Sequence, residues 1–166
     1  VYISGAGEFG RALANSFSLL PVQVTLVDER EEELALGRAP VRQCLTPLPE
    51  AEVRAAPVGS AFIVLTHDHA LNFITTAEAL MRGDAVYVGM IGSGTKRASF
   101  ERWCRKSNAP VGRKEPLICP IGAQGSGDKR PEVIAAFVTA EVIARLTAVA
   151  GPVDPQLELL GSGGLA

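Results

Sequence analysis

The chain has 166 residues, 47% of them hydrophobic and 20% charged, with a net charge of −2. That length suits one domain with a full core, the composition excludes overall disorder, and the near-neutral charge argues against a nucleic-acid or anionic-membrane surface. No apolar run approaches the roughly 20 residues that span a bilayer, and Cys44, Cys104 and Cys119, odd in number and widely spaced, fit reduced cytosolic thiols better than a disulfide framework.

The first residues read as a strand, Val1-Tyr2-Ile3-Ser4, that runs into the glycine turn Gly5-Ala6-Gly7-Glu8-Phe9-Gly10. A helix is expected from about Phe9 to Leu20, stopped by Pro21. A second strand, Val22 to Val27, then ends in Asp28. Each part has a physical role. Gly5 permits a tight turn, Gly7 lets the backbone approach a pyrophosphate, and Gly10 lets helix and strand pack closely. The free N–H groups and positive dipole end of the helix face the anion. Asp28 stands at the strand tip, where an acid can accept from ribose hydroxyls. In this order the parts describe a Rossmann unit; a glycine turn that binds nothing is the alternative, because fold does not dictate ligand.

The charged stretch Glu29 to Glu33 predicts a solvated turn or short helix, and Val41 to Leu45 a short third strand closed by Pro47 and Pro49. One or two helical turns are expected over Glu50 to Ala56. Ala61 to Thr66 is a continuous apolar run, as in a strand buried on both faces. His67, Asp68 and His69 follow, then a helix to about Arg82 with Gly83 as its C-terminal cap. Ala85 to Ile91 predicts the fifth strand, followed by the loop Gly92-Ser93-Gly94-Thr95 and a helix from Lys96 to about Lys106. Pro116 to Gly122 reads as a sixth strand, and a glycine-rich segment, Ala123 to Arg130, precedes a helix that Pro131 opens.

This alternation predicts an α/β fold: a doubly wound parallel sheet, Rossmann-like, in three αβα layers. About six strands in the order 3-2-1-4-5-6 are expected. The domain is drawn over residues 1–150, with 151–166 as a flexible tail. The last helix, Pro131 to Leu146, is apolar enough to cover the sheet and offer a second stripe to another copy, so a homodimer is expected.

Loops at the carboxyl ends of parallel strands converge on the ligand crevice. The candidate cofactor-binding residues are therefore Gly5, Gly7, Gly10, Asp28, Thr66, His67, His69, Gly92, Ser93 and Lys96. Gly92, Ser93 and Gly94 can present N–H groups and a hydroxyl beside the Lys96 ammonium, a second anion cradle. A cation at a helix N-terminus opposes the dipole, which an anionic ligand there would offset. His67 and His69, if the chain stays extended, share a face and could bind a metal, shuttle protons or donate to a phosphate; otherwise one of them caps the following helix. Cys119 is read as either a buried inert thiol or a reactive one handling a sulfur ligand. No nucleophile with an activating base is recognisable, so no catalytic residue is assigned.

Four segments together, GAGEFGRALA, THDHALN, YVGMIGSGTKRASF and CPIGAQGSGDKRPEVIAA, resemble the C-terminal Rossmann domain of the xanthine dehydrogenase accessory factor family, XdhC/CoxI. The resemblance covers roughly residues 1 to 148. It implies a cytosolic maturation factor, chaperone-like rather than an enzyme. Such a factor binds the molybdenum cofactor (molybdopterin), helps keep it intact through sulfuration, and delivers it to apo xanthine dehydrogenase or a related molybdenum hydroxylase. A cysteine desulfurase is a further implied partner. Three positions depart from the family pattern: Glu8 stands where His is usual, Asn72 where Asp is common, and Ala123 where Leu is common. Family members usually carry a separate N-terminal domain, so this sequence is expected to be either a fragment or a stand-alone variant. An NAD(P)-dependent oxidoreductase and a nucleotide-binding regulatory module are the competing readings.

Overall fold

The computed structural model describes residues 1–109 and 116–150. In chain order the elements are β1 (Tyr2–Ser4), α1 (Glu8–Phe17), β2 (Thr25–Asp28), α2 (Glu31–Ala35), β3 (Arg42–Leu45) and α3 (Pro49–Ala55). They continue with β4 (Ala61–Val64), α4 (His69–Met81), β5 (Tyr87–Met90), α5 (Gly94–Lys106) and α6 (Pro131–Ala150). The strands form one parallel sheet in the order β3-β2-β1-β4-β5. At its centre Ile3 lies level with Leu26 on one side and Ile63 on the other. The chain leaves β1 for β2 in one direction and β4 for β5 in the other. The topological switch point therefore falls between the carboxyl ends of β1 and β4.

Right-handed crossovers in opposite directions put helices on both faces. On one face, Leu13, Phe17, Leu34, Val138 and Val142 from α1, α2 and α6 pack against Ile3, Leu26 and Ile63. On the other, Val53, Leu80 and Phe100 from α3, α4 and α5 pack against Phe62, Val88 and Met90. With both faces covered, β2, β4 and β5 are buried along their whole length, which is why β4 reads as an unbroken apolar run. This is the doubly wound three-layer fold expected from the alternation.

The sixth strand is a correction. Ile118 makes a single parallel bridge to Gly89, with Met90 N–H donating to Ile118 O at 2.9 Å and Ile118 N–H to Val88 O at 3.0 Å. Pro116 and Pro120 flank it, and proline cannot donate to a ladder, so pairing stops at that bridge. The first helix also stops earlier than expected, at Phe17, because Leu20 precedes Pro21 and is steered away from helical geometry. The last helix runs on to Ala150. The tail drawn over 151–166 lies outside the described residues. No helix among the described residues is long and apolar enough to cross a membrane.

Arg82, just past α4, was not singled out in the sequence. Its guanidinium donates to the carbonyls of Val53 and Arg54 at 2.8 and 3.0 Å, covering the exposed C-terminal end of α3. Gly10 has the packing role assigned to it: a Cβ there would collide with the Gly5 carbonyl oxygen, so α1 sits directly on the turn. Nothing lies within 4 Å of a Cβ at Gly7. Gly10→Ala is therefore expected to destabilise the domain by about 1–3 kcal/mol. Gly7→Ser, at the N-cap of α1, should change stability by less than about 0.5 kcal/mol. Urea denaturation of the two variants checks the contrast, and equal losses would contradict it.

Candidate functional site

At the end of β1 the chain turns through Gly5, whose φ of +120° favours glycine. Gly5 N–H donates to Val27 O at 2.7 Å, carrying the strand pairing into the turn. A Cβ on Gly5 would stand 2.8 Å from the Leu65 carbonyl carbon and 3.0 Å from Thr66 N, so the ends of β1 and β4 touch here. The next residue, Ala6, is held on both sides. Its N–H donates to Asp28 Oδ2 at 2.6 Å, and its carbonyl accepts from Arg11 Nη1 at 2.7 Å. Arg11 also pairs with Glu33, and Glu33 lies 3.6 Å from Arg30. Arg30 returns to Asp28, which closes a ring of polar contacts around the turn.

Within that ring Asp28 is fully engaged. Oδ1 accepts from Arg30 N–H at 2.9 Å and Arg30 Nε at 3.0 Å. Oδ2 accepts from Ala6 N–H and from Arg30 Nη2 at 3.0 Å. A carboxylate has about four acceptor positions, and all are used. The side chain is 4% exposed. Burial alone would raise its pKa. The Arg30 side chain, the two backbone N–H groups and the Arg30 charge outweigh burial and hold the carboxyl below its ordinary value of 3.8. The acid foreseen as an open ribose acceptor is thus turned inward, because Arg30 follows it at a spacing that folds back onto it.

At the end of β4 the chain leaves the sheet. It bends at His67 and Asp68, and Asp68 is the N-cap of α4, its Oδ1 accepting from Leu71 N–H at 2.7 Å. His69 becomes the first helical residue. Asp68 keeps extended torsions, with φ −81° and ψ 127°, and it is Asp68 rather than either histidine that caps the helix. Both imidazoles are exposed, and His67 Nε2 lies 3.9 Å from Glu29 Oε1, towards the end of β2. No group of three or more His, Cys, Asp or Glu among the described residues could hold a metal ion. Asn72 is fully buried and donates to Thr66 O at 3.0 Å, fixing that loop.

The end of β5 builds a second turn. Gly92 has a φ of +148°, and Lys96 folds back over it where a Cβ would be. Ser93 is the N-cap of α5 and makes no side-chain cap, leaving the first-turn N–H groups without that partner. Nothing stands within 4 Å of a Cβ at Gly94. Cys119, beside the single bridge to β5, donates its thiol to Ser93 O at 3.7 Å. Burial lowers the Lys96 pKa, opposed by Cys119. Burial raises the Cys119 pKa, opposed by the charges of Lys96 and Arg97. Gly5, Gly7, Gly10 and Asp28 thus form one cluster with Thr66 beside it. Gly92, Ser93 and Lys96 form another, joined by Cys119.

A family model for the XdhC Rossmann domain matches residues 1–142. The chain belongs to the XdhC Rossmann-domain family. No curated protein sequence matches it. Among solved structures it is similar to one described as a xanthine dehydrogenase from Bacillus halodurans, with a TM-score of 0.70 and 19% identity over 93% of this chain. The chain spans 44% of that protein's length, and at this identity the likeness speaks to the fold.

In this XdhC domain the sequence reading missed Arg30 and Arg11. The signal for Arg30 was the Asp-x-Arg spacing, which recurs at Asp128 and Arg130, where the guanidinium again returns to the carboxylate at 2.6 Å. Arg11 carried no such signal, because its partners come together only through the fold. Because the folded-state pKa of Asp28 is depressed, its contribution is complete above pH 3.8 and is lost as pH falls through the lower folded value. Asp28→Asn is expected to cost about 1–3 kcal/mol at neutral pH. Its deficit relative to the parent should shrink below that window. Thermal melts of both proteins from neutral to strongly acid pH measure this, and a constant deficit would contradict it.

Proposed function

We propose that this domain holds the molybdenum cofactor by its phosphate at the turn after β5 and passes it to a xanthine-dehydrogenase-type apo-enzyme. The observation that carries the reading is the second turn. There Lys96 is folded over Gly92 at the N-terminus of α5, and the space above Gly94 is open. A half-buried ammonium beside N–H groups that no side chain caps suits a phosphate oxygen. Gly7 is likewise open at the N-terminus of α1, and the ring of the cofactor is placed against the β1–β4 junction, with the Thr66 hydroxyl and the His67 and His69 imidazoles as candidate polar partners. The fit is with an anionic cofactor that carries one terminal phosphate. Membership of the XdhC family and the likeness to a chain described as a xanthine dehydrogenase support the choice of client.

When bound, the cofactor carries redox chemistry that is exercised in the client. The residues of this chain bind, orient and release it. Protection of the sulfurated form, with a cysteine desulfurase as sulfur source, belongs to the same proposal. Moderate affinity is expected of a carrier, since one that binds too tightly cannot hand over.

Lys96→Ala should remove one charge-assisted contact, worth about 1.5–3 kcal/mol. That is a loss of about tenfold or more in molybdopterin affinity. Equilibrium binding of molybdopterin, followed by transfer to apo xanthine dehydrogenase and recovery of hydroxylase activity, tests both halves. An unchanged dissociation constant would overturn the phosphate seat. No stimulation over free cofactor would overturn the delivery role, and steady NAD(P)H oxidation would favour an oxidoreductase.

A further inference from the structure

The position that receives a ribose diol in a dinucleotide-binding fold is the acid at the tip of β2. Here every acceptor position of that acid is already taken: Ala6 N–H fills one, and Arg30 fills the other three through its backbone N–H, Nε and Nη2. The Ala6 contact belongs to the turn itself. The Arg30 contacts are separable from it, because they come from a side chain and a loop beyond the strand.

The surroundings point the same way. The cleft between the ends of β2 and β4, walled by Asp28, Glu29, Thr46, Thr66 and His67, has a volume of only about 10 Å³, far below the ~300 Å³ lower bound usual for a ligand pocket. A groove of about 450 Å³ lies at the opposite, amino edge of the sheet, around Val1, Gln23 and Arg42, away from the strand-end loops where such folds bind. Glu29, Glu31, Glu32 and Glu33 crowd the tip of β2, so a phosphorylated ribose would meet repulsion there. The Arg30 guanidinium, the nearest offsetting charge, is held by Asp28 and Glu33.

We propose that Arg30 sets the ligand class of this crevice: by occupying both oxygens of Asp28 it closes the ribose position, so the domain takes a cofactor ending in a phosphate monoester and refuses nucleosides and dinucleotides. The proposal rests on the reading of the crevice as a cofactor site, and it concerns which form of cofactor is admitted. Arg30 acts through Asp28 and is a specificity residue, not a catalytic one.

The test compares the dissociation constants of ADP-ribose, NAD, NADP and molybdopterin on the purified chain and on Arg30→Met, which keeps an unbranched stem and the backbone N–H contact but frees one acceptor position on each oxygen of Asp28. The parent should bind molybdopterin and leave the three nucleotides unbound. Arg30→Met should bind ADP-ribose at least about tenfold more tightly than the parent does, with molybdopterin affinity unchanged. Adding Asp28→Asn to Arg30→Met should abolish the gain, an outcome that simple loosening of the turn would not produce. If Arg30→Met fails to fold, Arg30→Lys, whose single ammonium cannot reproduce the fork, should show the same change of preference in smaller measure. Parent protein that binds ADP-ribose, NAD or NADP as tightly as molybdopterin would overturn the proposal. So would a folded Arg30 variant with no gain for ADP-ribose. A gain in ADP-ribose binding with no molybdopterin binding to either protein would uphold the role of Arg30 and overturn the cofactor reading instead.

Discussion

Ala6 is where the structure is tied together. Its N–H is held by Asp28 and its carbonyl by Arg11, so the two peptide planes that meet at this residue join β1, the tip of β2 and the first turn of α1. The arrangement tolerates no slip in strand pairing. Asp28 reaches Ala6 only because Ser4 lies level with Val27 and Gly5 N–H continues that ladder. The low-dielectric setting strengthens contacts to a buried carboxylate and makes a missing one costly. Sheet register and turn conformation are thereby one decision, made by a charged group with all its acceptor positions filled.

Charge divides the carboxyl edge. Acidic side chains gather around the tip of β2, with Glu8 exposed at the start of α1, whereas Lys96 and Arg97 stand at the start of α5. Two helix N-termini face the same edge, but their side chains favour different ligands. An acidic residue in the first turn of α1 satisfies the helix dipole internally. At α5 the first turn carries no acid, so no side chain there offsets the dipole.

The sheet was legible because its inner strands are covered on both faces, and a short continuous apolar run such as Ala61 to Val64 suits a strand with no solvent-facing side. Gly83 was legible as a cap for the same kind of reason: its φ of +68° follows directly after the last turn of α4. The turn residues were legible too, as was the position of Asp28. What escaped was direction. Nothing in the order Asp28, Glu29, Arg30 says that the carboxylate looks inward at Ala6 until the β1–β2 register is known. The two histidines were read with a period of two, while Asp68 between them carried the stronger local preference for a helix cap. At residues 116 to 122 the apolar residues suggested a strand, and the prolines at either side limited it to one bridge.

Those prolines have a consequence for how the domain meets other chains. The outer edge of β5 is screened by a segment that Pro116 and Pro120 prevent from forming a continuous ladder. The opposite margin, β3, is only four residues long, lies between Pro40 and Pro47, and displays Arg42 and Gln43 to solvent. Short, charged and proline-bounded margins are how proteins prevent one sheet from being extended by the strand of another. Both borders of this sheet are blunted in that way. Protein recognition by this domain is thereby directed to side chains on the helical layers and the strand-end loops, away from backbone pairing along the sheet.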